Sequence, residues 1–377
     1  MSFKIGKSEL SFALTLTSKA LAQRQQEEVI YRAVRITTFE QELGHYVMFS
    51  TNGGFNAIIT TGFEVSNFKE DVDVLVECQK LLEVIDRSSV EEITIEKIDD
   101  ENLMVFANGE NKLRYLPGEI IAEFPGFNET NKLGEMKVKS FVNICKLTSP
   151  FATDDIHKAP LIGLCIDKNN IYATDELKSM TQRNIGLEIP IQLNFNPIAA
   201  EMVKMFGDDR VIQFYLGKMT NAMDYTHLTL VIDGVRLFIL KYQSEYPVDI
   251  LDITNKNCVE KNTNIIKLPR ISALQTLNRL GIFADENDIL ALTAIDKGVV
   301  LEVINAKTSE SSKELIEAEI KVSEDFLNKA VHTSLANFIT LLTVLENEEI
   351  AIAFSDIPFI SVNDSNFTAF VTTKNVE

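Results

Sequence analysis

Apolar residues recur along this chain in two rhythms, one of three to four residues and one of two, and the order of the rhythms repeats. Three segments run from a helical spacing through a short acidic turn into alternation: residues 80–96 (KLLEVIDRSSVEEITIE), 198–216 (IAAEMVKMFGDDRVIQFYL) and 335–354 (LANFITLLTVLENEEIAIAF). The first rhythm predicts a helix with one apolar face, the second a half-buried strand. The copies lie about a third of the chain apart, far beyond the roughly 20 to 50 residues of a solenoid repeat, so a copied domain is expected rather than a stacked array.

A second helical pattern opens each third, at residues 7–24, 137–149 and 267–280. Leu10, Ala13, Leu14 and Leu21 in the first, and Ile271, Leu274, Leu277 and Leu280 in the third, read as one apolar face each. Strand patterns fall at 29–38, 46–51, 56–64, 93–97, 103–107, 161–167, 170–174, 211–216, 227–232, 235–242, 299–305, 350–354 and 367–373. Turn-forming pairs such as Asn108-Gly109, Asn169-Asn170 and Asp233-Gly234 join several of them as antiparallel hairpins. Each third therefore reads as two helices packed on antiparallel sheet, an α+β arrangement. The polar stretches 128–134 (NETNKLG) and 254–264 (TNKNCVEKNTN) read as exposed connections, giving domains 1–131, 132–260 and 261–377; a third polar run, 307–313, reads as a hairpin tip.

Length supports this division, since 377 residues hold three domains of about 125. An apolar fraction of 45% with 24% charged residues, 16 Gly and 9 Pro predicts an ordered globular protein. Cys78, Cys145, Cys165 and Cys258 lack CxxC spacing and read as buried free thiols of a cytoplasmic protein, with no metal site. The N-terminal residues lack the apolar core of a signal peptide, and no apolar run reaches the roughly 18 residues of a membrane span. His45, His157, His227 and His332 lie far apart, Gly53-Gly54 lacks the spacing of a phosphate loop, and Asp99-Asp100 and Asp154-Asp155 sit in polar connections. A nuclease or nucleotide-processing enzyme has no positive support; a non-catalytic protein without cofactor is expected.

Charge sharpens the picture. The net charge of −19, from 36 Lys+Arg and 55 Asp+Glu, taken alone speaks against nucleic acid. Yet the three opening helical patterns carry +2, +3 and +3, leaving −27 for the rest. One such run is the pattern of a solvated helix face. Three on equivalent elements predict a basic lining on an acidic body, the footprint of a phosphate backbone. No zinc-finger spacing, RNP-like motif or Trp accompanies it, so binding independent of base sequence is expected.

These residues resemble the bacterial sliding clamps, the β subunit of DNA polymerase III. The match is carried by SKAL followed by Arg24, by KLLEVIDRSSVEEITIE, by LPGEIIAEFP at 116–125, by APLIGLCIDKNNIYATDELKSM at 159–180, by Tyr246-Pro247 and by FTAFVTT at 367–373, in order over nearly the whole chain. The resemblance implies three tandem domains forming half of a six-domain ring, which closes as a head-to-tail homodimer around duplex DNA. DNA polymerase and clamp loader would dock through short peptide motifs. Arg24 matches a DNA-contacting arginine; Lys139, Lys146, Arg270 and Arg279 join it on charge and placement. Ile282 and Phe283 match the apolar pair of the dimer contact, with Leu113, Tyr115 and Leu116 on the facing strand. The peptide pocket, between the second and third domains, would use Leu161, Thr174, Asp175, Leu177, Lys178, Pro247, Leu251, Val371 and Thr373.

Three departures stand out. Where most of the family has Gly-His-Arg-Leu after Thr-Asp, this chain has Glu176-Leu177-Lys178-Ser179; VDILDIT follows Tyr246-Pro247 in place of arginine and valine; and the usual Met-Pro-Met-Arg-Leu terminus becomes Thr373-Lys374-Asn375-Val376-Glu377. Losing His and Arg while gaining Glu176 and Asp252 implies a different or narrower partner set, as in a phage, plasmid or second-copy clamp. A clamp-like decoy that occupies partners without supporting synthesis is the alternative.

Overall fold

Seven α-helices are present among the described residues: α1 (Lys7–Ala20), α2 (Cys78–Asp86), α3 (Val138–Thr148), α4 (Ile198–Val203), α5 (Val248–Lys261), α6 (Arg270–Leu280) and α7 (Leu335–Thr343). The computed structural model describes residues 2–21, 29–52, 56–117, 131–218, 226–242, 244–285, 289–305, 307–308 and 310–374. Apart from short 3₁₀ turns and loops, the other elements among the described residues are strands of antiparallel sheets, so the expected α+β class holds.

The chain packs as two compact units, Met1–Val142 with Phe195–Lys241 and Asn143–Asn194 with Tyr242–Glu377. The border between them passes through α3 and through residues 132–260. In the first unit a 13-stranded sheet runs among the described residues. Leu10, Ala13, Leu14, Leu16 and Ala20 of α1 are buried, as are Leu81 and Ile85 of α2. Leu10, Ala13, Leu14, Leu81 and Ile85 form one core with Phe3, Ile36, Phe49, Val76, Ile93 and Ile95 from the strands. Thr17, also buried, satisfies its hydroxyl on the Ala13 carbonyl at 2.9 Å, so the polar group costs α1 little. Within this sheet Asn56–Ile59 pairs with Val235–Leu240, a ladder joining the first third of the chain to the second.

The second unit holds a nine-stranded and a four-stranded sheet. Its nine-stranded sheet contains the corresponding junction: Lys178–Gln182 pairs with Phe367–Thr372, with Lys178 opposite Val371 and Gln182 opposite Phe367. The four-stranded sheet ends in the edge strand Ser311–Glu317, paired with Gly298–Ile304; of the polar run foreseen as a hairpin tip at 307–313, Ser311, Ser312 and Lys313 belong to that strand.

Two expectations fail for physical reasons. The polar stretch 254–264 is no exposed connection: α5 continues to Lys261, and Asn255, Asn262 and Asn264 are buried. Asn262 donates to the Ala353 and Phe359 carbonyls and to Ser361, and accepts from Ser355, so its amide is satisfied inside the fold. The row Ile271, Leu274, Leu277, Leu280 also does not share one face. A three-residue step lags the helix by about 60°, and Ile271 ends 63% exposed while Leu280 is fully buried.

Candidate functional site

The predicted pocket residues converge at the end of the second junction ladder. Strand Asn170–Thr174 runs into the tight loop 175–178, which returns as Lys178–Gln182. The Asp175 carboxylate accepts from the amides of Leu177 and Lys178, both at 2.9 Å. Thr174 Oγ1 donates to the Lys178 carbonyl at 2.8 Å and accepts from the Glu176 amide at 3.1 Å. These bonds fix a conformation in which Glu176 lies at φ 80, left-handed backbone that favours glycine. Lys158, from the 3₁₀ turn Ile156–Leu161, clamps the loop through Glu176 Oε2 and the Asp175 carbonyl, both at 2.9 Å. Leu161 closes that turn and is buried.

Leu177 is left half exposed, while its carbonyl accepts from the Thr372 amide at 2.8 Å. Val371 is fully buried opposite Lys178, and Thr373 bridges to Thr333 one step further on. Pro247 precedes α5, whose Val248, Leu251 and Cys258 pack with Cys165, Tyr172, Tyr246 and Phe370. Two tyrosines tie α5 to the loop. Tyr246 Oη accepts from the Thr174 amide at 2.8 Å, and Tyr172 Oη donates to Asp252 Oδ1 at 3.0 Å. Burial pushes both hydroxyls well above the usual phenol range, keeping them protonated. The arrangement is a rigid rim with apolar side chains and ladder-fixed backbone, suited to binding a short segment; Lys158, Tyr172 and Tyr246 were not foreseen in it. Their signal in the sequence was faint, because each acts through a partner 17 to 80 residues away.

The predicted cations are less free than their counts suggested. Lys139 sits exposed in the first turn of α3. Lys146, two turns later on the same face, lies 4.0 Å from Glu346. Arg270 spends its guanidinium on the Leu342 and Thr343 carbonyls at the C-terminal end of α7, at 3.0 and 3.1 Å. Arg279 forks onto Glu314 of the edge strand, with Nε donating to Oε1 at 2.9 Å; this holds the Glu314 carboxyl below its usual range. Lys267 pairs with Glu319 at 2.8 Å. Arg24 lies outside the described residues.

The predicted dimer residues fall on two elements. Leu113, Tyr115 and Leu116 belong to strand Glu110–Pro117, where Tyr115 is buried, Leu113 half-buried and Leu116 exposed. Ile282 is 79% and Phe283 38% exposed, beyond the end of α6. Leu315, on the edge strand that receives Arg279, is exposed as well and was not foreseen. Among the described residues no group of three or more His, Cys, Asp or Glu could hold a metal ion, and no helix is long and apolar enough to cross a membrane.

No protein-family model matches the chain, and no curated protein matches it. Solved structures do. A DNA polymerase sliding clamp from Bacillus subtilis superposes with a TM-score of 0.84 at 15% identity, covering 100% of both chains. The DNA polymerase III beta subunit of Thermotoga maritima gives 0.80 at 13%, again over 100% of both. The Pseudomonas aeruginosa clamp, solved bound to griselimycin, gives 0.79 at 15% over 100% of both. The chain thus has the sliding-clamp fold, at a sequence distance that hides it from family models.

Proposed function

We propose that this chain is half of a DNA sliding clamp: two copies close head to tail around duplex DNA, in the cytoplasm, and tether a DNA polymerase and its loader through the pocket at loop 175–178 and α5. The observation that carries this reading is the likeness of fold over the full length of both chains, with no part of either left over. On this reading the thirds 1–131, 132–260 and 261–377 are the three clamp domains. Leu113, Tyr115 and Leu116 meet Ile282, Phe283 and the exposed Leu315 of the second copy. Arg24, Lys139, Lys146, Arg270 and Arg279 face the DNA and act electrostatically; no residue has a catalytic part. Because several of these cations already serve carboxylates or carbonyls, contact with DNA is weak, which a ring that holds its substrate topologically tolerates.

Light scattering tests closure: a mass near twice 42.4 kDa is expected, and a persistent monomer overturns the ring. With loader and ATP, the protein is expected to stay on a nicked circular DNA and to leave when the circle is cut. In a primed-circle synthesis assay, longer products support the clamp, whereas inhibition supports a decoy that occupies partners without aiding synthesis.

A further inference from the structure

Beside the pocket, the first two turns of α5 expose two large apolar side chains that nothing in its own unit covers to any great extent. Ile250 is 66% and Ile253 64% exposed, one turn apart, while the opposite face of the helix buries Val248, Leu251, Asn255 and Cys258. Leu177, 50% exposed on the pocket loop, is the third such residue. The two elements are bonded to each other: Asp252 of α5 takes the Tyr172 hydroxyl, and Tyr246, two residues ahead of α5, takes the Thr174 amide. Carboxylates predominate on the exposed side of this apolar stretch. Asp249 and Asp252 share the first two turns with Ile250 and Ile253. Asp167 faces them, since burial first, and then the charges of Asp252 and Asp249, push its carboxyl up against the pull of Lys168. Of the cations nearby, Lys158 holds Glu176 at 2.9 Å and Lys256 lies 3.9 Å from Glu260, while Lys168 acts on Asp167.

We propose that the first two turns of α5 extend the peptide pocket into an apolar platform with an acidic rim, and that its occupant is a partner-protein segment combining apolar side chains with lysine or arginine. Apolar area supplies affinity and the carboxylates select by charge, attracting a basic flank and repelling an acidic one. The same carboxylates disfavour a phosphate backbone on this face. The proposal rests on the pocket reading above and adds to it the chemistry of the partner.

Two fluorescein-labelled peptides test it by anisotropy against the full-length chain. Both carry the same Leu-Leu anchor, one flanked by Lys-Lys-Lys and the other by Glu-Glu-Glu. The basic peptide is expected to bind about tenfold tighter at low salt, the preference shrinking as salt screens the rim. Asp249→Asn is expected to cut that preference to about threefold, and the double variant Ile250→Ser, Ile253→Ser to weaken both peptides alike. Equal affinities, or tighter binding of the acidic peptide, overturn the acidic rim and leave the pocket standing. Binding of neither peptide overturns the pocket itself and the platform with it. If the double isoleucine variant changes the oligomeric mass instead, a second copy covers this face and the proposal fails.

Discussion

Two ladders join successive thirds of this chain, and they differ in what they leave uncovered. In the first, Ala57 and Ile58 meet Phe238 and Leu237, all nearly or fully buried, and the strands seal one another. In the second, Ser179, Met180, Ala369, Phe370 and Val371 are just as buried, but the ladder runs out into a loop that exposes Leu177 and supports a helix exposing Ile250 and Ile253. The same device of pairing thus seals the strands at one place and leaves apolar side chains exposed at the other. What separates them is the insertion of polar anchors: Asp175, Thr174 and two buried tyrosine hydroxyls hold the second ladder's end in one shape, so its apolar tip need not collapse inward.

Substitutions should separate the two roles. The largest effect is expected from Phe238→Ala at the sealed ladder, a loss of about 3–5 kcal/mol in denaturant unfolding, because the ring leaves a cavity that strands cannot refill. Acid should strike the adjoining ladder next, where His227–Ile232 pairs with Val235–Leu240. His227 pairs opposite Leu240, packs edge-on to Phe238 at 5.5 Å and has no partner for Nε2; burial lowers its imidazole to about 4. A folded-state value below the unfolded value of about 6.5 means that the unfolded chain binds the proton first. Stability is therefore full above pH 6.5 and falls toward pH 4 by about 3 kcal/mol, a slope that His227→Gln should flatten; an unchanged slope would assign the acid response elsewhere. Gly217 belongs to the same prediction, since a Cβ there would lie 2.0 Å from His227 Nε2, and Gly217→Ala should lower the melting temperature.

At the open ladder the effects are smaller in stability and larger in binding. Tyr246→Phe removes the acceptor of the Thr174 amide and should cost about 1–2 kcal/mol, with faster amide exchange confined to Thr174 and the loop after it. Glu176→Gly should be more stable than Glu176→Ala by about 1 kcal/mol, as both lose Lys158 and only glycine relieves the left-handed backbone. Leu177→Ala should change stability by less than about 0.5 kcal/mol yet weaken peptide binding about tenfold; unchanged binding would move the pocket away from this loop.

Much of the scaffold was readable from local pattern. The strand patterns at 170–174 and 227–232 have those bounds in the structure. The helical copies at 80–96 and 335–354 likewise fall on α2, which begins two residues earlier at Cys78, and on α7. Strand Lys178–Gln182 escaped notice because polar residues dominate it, and Glu110–Pro117, polar along most of its length, entered only through the resemblance. The asparagines of 254–264 misled for the same reason: composition reports that a group is polar, not that buried carbonyls await it. The basic bias of the opening helices was summed helix by helix, which leaves out the carboxylates that pair with those cations. Glu314, Glu319 and Glu346 approach from strands and turns that no helix-by-helix sum includes.

By itself the sequence determined which segments become helix or strand, since side-chain periodicity acts over a few residues, and its ordered motifs specified the clamp fold. Tertiary structure alone decided which polar groups are spent and which are offered. Hydrogen bonds and ion pairs are short-ranged in space yet indifferent to distance along the chain. Hence Arg279 is claimed by Glu314, Tyr246 by Thr174 and Lys158 by Glu176, while Leu177, Ile250 and Ile253 are left facing water beside one another's anchors.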